Sequence, residues 1–213
     1  MSYSYSAIKL YEQCPLKYKL TRIDHLIEPT GDAANRGKTI HAEIESVLKG
    51  GLNLLSDDIK HLEDKINAWI KENGQSELPV GVNDKWEAVD FNAEDVMFRG
   101  VIDLFIKHAD GQATVLDFKT GKHRDYSDQV LVYSTIILST MPDVHTVQNV
   151  IEFIDLAKTD KYKPIVRADL PKLQLQLKAR ITTIEKDTIF APNPSVLCKW
   201  CYFRKSNGGP CKW

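Results

Sequence analysis

Apolar residues recur at helical spacing in the first third of the chain, and this spacing predicts helices. The first predicted helix is interrupted at Cys14-Pro15, because proline lacks the backbone N–H that continues a helix. Gly50-Gly51 is a typical helix end, since glycine adopts the left-handed conformation readily. The predicted helices cover residues 4–20, 38–49 and 57–72, with a loop over residues 31–37.

From residue 85 the hydrophobic period changes to two, which is typical of β-strands. Helical spacing returns twice later in the chain, each time over a longer and largely apolar segment. The resulting order of elements predicts an α/β fold in which a mixed β-sheet is flanked by helices on both sides. The predicted strands are 86–91, 96–107, 113–119, 147–156 and 164–168, and the later helices are 127–140 and 170–189.

The composition is that of a folded domain. The chain has 213 residues, 43% of them hydrophobic, and a formal net charge of -1, so a single domain spanning residues 1–213 is expected. No segment is apolar enough to cross a membrane, and the N-terminus lacks the pattern of a signal peptide. These features predict a soluble cytoplasmic protein without a membrane partner.

Charge is distributed unevenly along the chain. Residues 84–110 contain seven acidic and three basic side chains, whereas residues 158–186 contain eight basic and three acidic ones. An acidic segment within basic surroundings suits a metal-dependent enzyme that acts on a polyanion.

A hairpin in the middle of the chain carries the candidate chemistry. Asp117 and Lys119 are two residues apart on one strand and therefore share a face. A three-residue turn over 109–111, with Gly111 left-handed, places Asp103 directly opposite Asp117, whereas a two-residue turn would face it away. Opposed carboxylates repel each other, and a bound divalent cation such as Mg²⁺ removes that penalty. The alternative is a solvated pair of acids with Lys119 as their salt-bridge partner.

The four cysteines form a second candidate site. Structural disulfides are rare in the cytosol, and Cys198-x-x-Cys201 brings two thiolates within reach of one centre. Cys211 can join them across a glycine-proline turn, and Cys14 must come from the other end of the chain. Four thiolates suit zinc or an iron-sulfur cluster, and spacing does not separate the two.

Several short motifs occur in an order that resembles the RecB-like branch of the PD-(D/E)XK nuclease superfamily. The tail and N-terminal cysteines resemble its iron-sulfur subgroup, which includes CRISPR-associated RecB-like and AddB-like nucleases. One departure is Ile102, which replaces the proline of the superfamily name. The matching motifs are Gly37-x-x-x-His41, Gly100-x-x-Asp103, Asp117-x-Lys119-x-Gly121, Gln129-x-x-x-Tyr133, Cys14-Pro15 and Cys198-x-x-Cys201 with Cys211.

This resemblance implies a restriction-endonuclease-like core and a role for each motif. It makes Asp103 and Asp117 ligands of Mg²⁺ or Mn²⁺, and Lys119 the residue that orients or deprotonates water. The remaining implied roles are His41 and the Phe118 carbonyl as further metal ligands, Gln129 and Tyr133 as DNA-binding supports, and Glu87 on the first strand as a supporting acid.

By the same resemblance, Cys14, Cys198, Cys201 and Cys211 hold a 4Fe-4S cluster, with zinc as the alternative. That cluster would join residues 1–25 to residues 190–213 and so staple the two ends of the chain.

The function implied is a metal-dependent deoxyribonuclease, an exonuclease on single-stranded or frayed DNA ends. It would act in recombination, repair or phage DNA metabolism, in the host cytoplasm if phage-encoded. The chain has no G-x-x-x-x-G-K-[ST] motif, so a helicase would have to be a partner. The alternatives are a catalytically inactive DNA-binding subunit of a helicase-nuclease complex and a structure-specific endonuclease.

Overall fold

The computed structural model describes residues 2–51 and 55–213, which form two compact units. The first unit contains Ser2 and Asp32–Leu175, and the second contains Tyr3–Gly31 and Gln176–Trp213. None of the helices in the described ranges is long and apolar enough to cross a membrane. The helices are α1 (Tyr5–Gln13), α2 (Pro15–Tyr18), α3 (Asp32–Leu48), α4 (Glu63–Lys71), α5 (Ser127–Thr140) and α6 (Leu170–Lys186). The strands are β1 (Gln75–Val82), β2 (Phe98–Lys107), β3 (Gln112–Lys119), β4 (Thr146–Phe153), β5 (Lys158–Lys161) and β6 (Ile165–Val166).

A six-stranded mixed sheet forms the centre of the first unit. Its order is β1-β2-β3-β4-β5, with β6 also pairing with β4. β3 and β4 are parallel and α5 connects them, whereas the other pairs are antiparallel. A parallel pair needs such a crossover because its strands cannot be joined by a tight turn. The predicted mixed α/β fold is therefore confirmed for this unit.

Helices cover the sheet because its strands alternate apolar side chains toward two faces. On one face, Leu104, Leu116 and Phe118 pack against Ile44 and Trp69 of α3 and α4. On the other, Ile151 and Phe153 of β4 pack against Val130 of α5. Burial of these side chains contributes about 1.5–3 kcal/mol each, so both layers hold the strands in register.

Three sequence predictions about this unit are wrong. The segment 86–91 is not a strand, since Trp86 has a positive φ of 66° and only Ala88 bridges to Val82. The strand at this edge of the sheet is β1. The sequence does not predict it because Pro79 and Gly81 are residue types that are rare inside strands. The predicted loop over residues 31–37 is helical from Asp32 onward. β5 falls in a segment for which no strand is predicted.

Other boundaries differ by a few residues. The helix predicted over 57–72 is a 3₁₀ turn, Lys60–Leu62, followed by α4, and the strand predicted to reach 156 ends at Phe153 in a second 3₁₀ turn. The helix predicted to reach residue 189 ends at Lys186. α5 has the predicted bounds.

Aromatic packing between the two ends of the chain holds the second unit together. Tyr18 is buried and stacks on Phe190, and Tyr11 meets both rings edge-on. The Tyr11 hydroxyl donates a hydrogen bond of 2.7 Å to Asp187, while Arg180 forms an ion pair with Glu12. α1 ends at Cys14 and α2 begins at Pro15, as the proline predicts.

Candidate active site

The turn between β2 and β3 sets the positions of two buried acids. His108 N donates a hydrogen bond of 2.9 Å to Gln112 O, and Gly111 has a φ of 78°. Leu104 pairs with Leu116 farther along the hairpin, so Asp103 lies opposite Asp117. The predicted three-residue turn and its register are confirmed.

A third acid lies on the neighbouring strand. Ser76 and Leu78 of β1 pair with Leu104 and Ile102, which places Glu77 opposite Asp103. Glu77 has a positive φ of 50°, a conformation that is strained for a residue with a Cβ. Three adjacent strands thus contribute one acidic residue each to a single row, namely Glu77, Asp103 and Asp117.

His41 of α3 completes a group of possible metal ligands. Among the residues that the structure describes, only His41, Glu77 and Asp103 bring three such ligand atoms within 4.8 Å of one another. His41 Nε2 lies 2.9 Å from Phe118 O, and Nδ1 lies 3.5 Å from Asp103 Oδ2. With the proton on Nε2, the Nδ1 lone pair faces the acids, and the Phe118 carbonyl fixes this tautomer.

α3 approaches the end of β3 closely at the start of the Gly37-x-x-x-His41 motif. A Cβ on Gly37 would lie 3.2 Å from Thr120 Oγ1, closer than an unstrained contact. Glycine therefore lets the helix come near enough for His41, one turn later, to reach Phe118 and Asp103.

The Asp117 carboxylate is held on both oxygens. Gln129 Nε2 donates to Oδ1 at 2.6 Å, and Lys119 Nζ forms an ion pair with Oδ2. Asp117 is only 5% exposed, so these contacts offset the cost of burying its charge. Lys119 Nζ also lies over the Tyr126 ring, 4.9 Å from its centroid.

A small cavity lies next to Asp117. It has a volume of about 10 Å³ and is lined by Asp117, Gln129, Tyr133 and Asn149, among others. Asn149 donates to Ser134 at 2.7 Å, while its buried Oδ1 has no hydrogen-bond partner among the described residues. No motif or spacing in the sequence singles out Asn149.

Two acids of the row, Asp103 and Glu77, resist ionisation in the absence of a cation. Burial, and then the charge of Asp117, raise the pKa of Asp103 well above its ordinary value. Burial, and then the charge of Glu45, raise the pKa of Glu77. Burial lowers the pKa of His41, which favours the neutral imidazole that binds metals. The donor set of imidazole and carboxylates therefore fits a divalent cation, since a cation offsets the charge that burial disfavours.

We expect Asp103→Asn to raise the melting temperature of the metal-free protein at neutral pH. A raised pKa in the fold means that ionising Asp103 costs folding free energy; this cost is absent below the ordinary Asp pKa of about 3.9 and complete above the raised pKa. The gain of a few degrees should therefore vanish near pH 4. Thermal unfolding in EDTA measures it.

The matched control is Asp110→Asn on the same hairpin. Its hydrogen bond from Gln112 N lowers the pKa of Asp110, so this variant should show no gain at neutral pH. Manganese should stabilise the wild-type protein and not Asp103→Asn. Equal stabilisation of both would contradict a role for Asp103 in cation binding.

Glu87 does not lie where the sequence analysis placed it. It follows a turn instead of occupying the first strand, and its carboxylate accepts a hydrogen bond of 2.9 Å from Asn83. The acid on the edge strand beside Asp103 is Glu77. Glu77 is identified by the pairing of β1 with β2, and no residue spacing in the sequence points to it.

The four cysteines lie in the second unit and line one cavity of about 180 Å³. Their sulfur atoms are too far apart to bind one metal ion together, since no three of them lie within 4.8 Å of one another. Asn193 N lies 3.5 Å from Cys14 Sγ, and Ser195 N lies 3.3 Å from Cys198 Sγ. A cluster joining them is not shown by this arrangement.

Comparison with known proteins identifies the fold. A crystal structure described as a "putative exonuclease" from Eubacterium rectale has a TM-score of 0.54 and 13% identity, covering 94% of this chain and 86% of that one. The structure of SSO0001 has a TM-score of 0.47 and 18% identity, covering 95% and 83%. No curated protein matches. A family model of the PD-(D/E)XK nuclease superfamily matches residues 2–206, and the chain therefore belongs to that superfamily.

Proposed function

We propose that this chain is a metal-dependent DNA exonuclease of the RecB-like branch. The observation that carries the proposal is the row of three acids on adjacent strands. Its first two members, Glu77 and Asp103, share a group of possible metal ligands with His41, and Lys119 pairs with the third, Asp117. Such a row is costly without a cation. The Eubacterium rectale protein, described as a "putative exonuclease", has the same fold, which supports the choice of exonuclease.

The metal ligands proposed are Asp103 and Asp117, as predicted, with His41 and now Glu77. A bound Mg²⁺ or Mn²⁺ would lower the pKa of water and polarise a phosphoryl oxygen. Phe118 N donates to Asp103 Oδ2 at 2.8 Å, which orients that carboxylate. The Phe118 carbonyl accepts a hydrogen bond from His41 and retains a second lone pair for the predicted metal contact.

Lys119 supplies the positive charge of the site. Its ion pair with Asp117 and its position over the Tyr126 ring hold the ammonium group at the end of β3. There it can orient the attacking water and stabilise the negative charge that develops on the phosphate. Gln129 keeps Asp117 in place through its hydrogen bond. Tyr133 lies one helical turn from Gln129 and lines the small cavity next to Asp117.

We propose that the cavity of the second unit holds a 4Fe-4S cluster. Tetrahedral zinc draws sulfur atoms to less than 4 Å from one another at a Zn–S distance of about 2.3 Å, whereas no three of the four cysteine sulfurs lie within 4.8 Å of one another. The wider spacing suits a polynuclear cluster. Backbone N–H groups directed at the sulfurs of Cys14 and Cys198 support it, because such bonds stabilise cluster thiolates.

Single-stranded DNA is the substrate form that the second unit favours. Trp200 and Trp213 are 67% and 62% exposed, and Lys199 Nζ lies 3.8 Å from the centroid of the Trp200 ring. No acidic residue follows Asp187 in the sequence. Exposed aromatic rings next to cations suit single-stranded DNA, because its bases can stack on the rings and its phosphates can pair with the cations.

A nuclease assay tests this function. The full chain, purified without oxygen, is incubated with 5′- and 3′-labelled single-stranded DNA and with closed circular DNA, in Mn²⁺ or EDTA. We expect metal-dependent release of short products from linear DNA only. Cleavage of the circular substrate would identify an endonuclease, and binding without cleavage would identify an inactive subunit of a larger complex.

A further inference from the structure

An open cleft of about 350 Å³ lies beside the candidate active site in the first unit. Its walls come from the loop after Lys119 and from the segment around β5. We infer that this basic cleft, lined by His123, Arg124, Asp125, Asp160, Lys161 and Tyr162, binds a phosphate group of the DNA strand. The inference rests on the proposed function, because it assigns an anchoring subsite to the same substrate.

The two acids of the basic cleft are already engaged within the protein. Asp160 accepts a hydrogen bond of 2.6 Å from His123 and lies 3.1 Å from Lys158 Nζ. Asp125 accepts hydrogen bonds from the backbone N–H and hydroxyl of Ser127, at 2.9 and 2.8 Å. Lys158 thus compensates the charge of Asp160, and hydrogen bonds from Ser127 occupy both carboxylate oxygens of Asp125.

The cations of the cleft, in contrast, remain available. Arg124 is exposed, and neither Arg124 nor Lys161 has an ion-pair partner in the described part of the chain. The two wall segments, residues 121–126 and 157–163, together carry five Lys or Arg and two Asp. A guanidinium and an ammonium group converging on an open cleft are the groups that bind phosphate.

One aromatic residue connects the basic cleft to the active site. Tyr126 lies under Lys119 Nζ on one side, and its backbone N–H donates a 2.9 Å hydrogen bond to the hydroxyl of Tyr162, in the wall of the cleft. The Tyr126 ring also packs on Phe153, as does the ring of His123. A phosphate in the cleft would thus be held at a fixed position relative to Lys119, which is what a strand-positioning subsite requires.

Two kinds of DNA phosphate fit the basic cleft, namely an internal phosphodiester and the phosphate monoester at a strand end. The test measures binding of three fluorescent single-stranded DNAs of one sequence, bearing a 5′-phosphate, a 3′-phosphate or neither. Fluorescence anisotropy in EDTA gives Kd at several salt concentrations without cleavage. The variant is Arg124→Gln/Lys161→Gln, and the control is Lys71→Gln/Lys172→Gln, which removes the same charge from exposed positions outside the cleft.

We expect the cleft variant to bind about tenfold more weakly. Its salt dependence should be shallower by about 0.7 for each phosphate that the protein no longer neutralises. An equal loss of affinity for all three strands identifies a phosphodiester, and a loss for one strand identifies its terminal phosphate. Unchanged Kd and salt dependence, or the same loss in the control, would overturn the inference. A wild-type protein that binds in this way but never cleaves would refute the proposed function and leave the cleft assignment standing.

Discussion

Replacing Lys119 with methionine is expected to lower kcat for DNA cleavage by about 10²–10³-fold. Methionine has a similar length and packs in the same space, so the substitution removes the charge with little change in volume. The site then lacks the positive charge proposed to face the phosphate, which gains negative charge in the transition state of hydrolysis. Asp117 also loses its ion-pair partner, and its second oxygen stays buried.

The control for this variant is Lys65→Met. Lys65 forms an ion pair of 2.7 Å with Glu152, a carboxylate that is fully buried. Both variants therefore leave a buried carboxylate without its ion-pair partner and should be destabilised to a similar degree. Only Lys119→Met should lose activity in single-turnover assays at saturating DNA. A similar loss of activity in both variants would show that Lys119 acts on stability alone.

If the proposed cluster is present, replacing Cys14 with serine is expected to remove it as completely as replacing Cys198 does. The two residues are far apart in sequence but line one cavity, so either change removes a ligand from the same group. We expect the iron content to fall from about four atoms per chain to near zero. The melting temperature should fall by roughly 10 °C or more, because metal binding contributes directly to folding.

Metal analysis and visible absorbance of protein purified without oxygen measure this effect. Tyr202→Phe, an exposed change in the same unit, should leave both unchanged. A colourless wild-type protein with one zinc per chain would contradict the cluster. Full iron content in Cys14→Ser would exclude Cys14 as a ligand.

Local pattern predicted the hairpin and the main helices because their apolar periodicity and turn chemistry agree. The Gly111 turn fixed the β2–β3 register, and Asp103 and Asp117 followed from it. The long, mostly apolar α5 had correct bounds for the same reason. In these segments, propensity, periodicity and tertiary packing favour one conformation.

The sequence did not reveal Glu77, because its strand lacks the signals that predict a strand. Pro79 and Gly81 interrupt β1, and Glu77 itself has a left-handed backbone. Pairing with β2 overrides these local preferences, and pairing between distant segments is not visible in a short window. Trp86–Phe91 shows the alternation expected of a strand, and the sequence therefore points to Glu87 instead of Glu77.

The most direct test of the account is the location of manganese in the protein. Crystals grown with Mn²⁺ would give an anomalous difference map that shows the ion without reference to activity. The account predicts a peak bonded to Asp103 and to the imidazole of His41, with Glu77 or Asp117 completing the ligand set. A fully occupied manganese site elsewhere, with Asp103 left without metal, would contradict it.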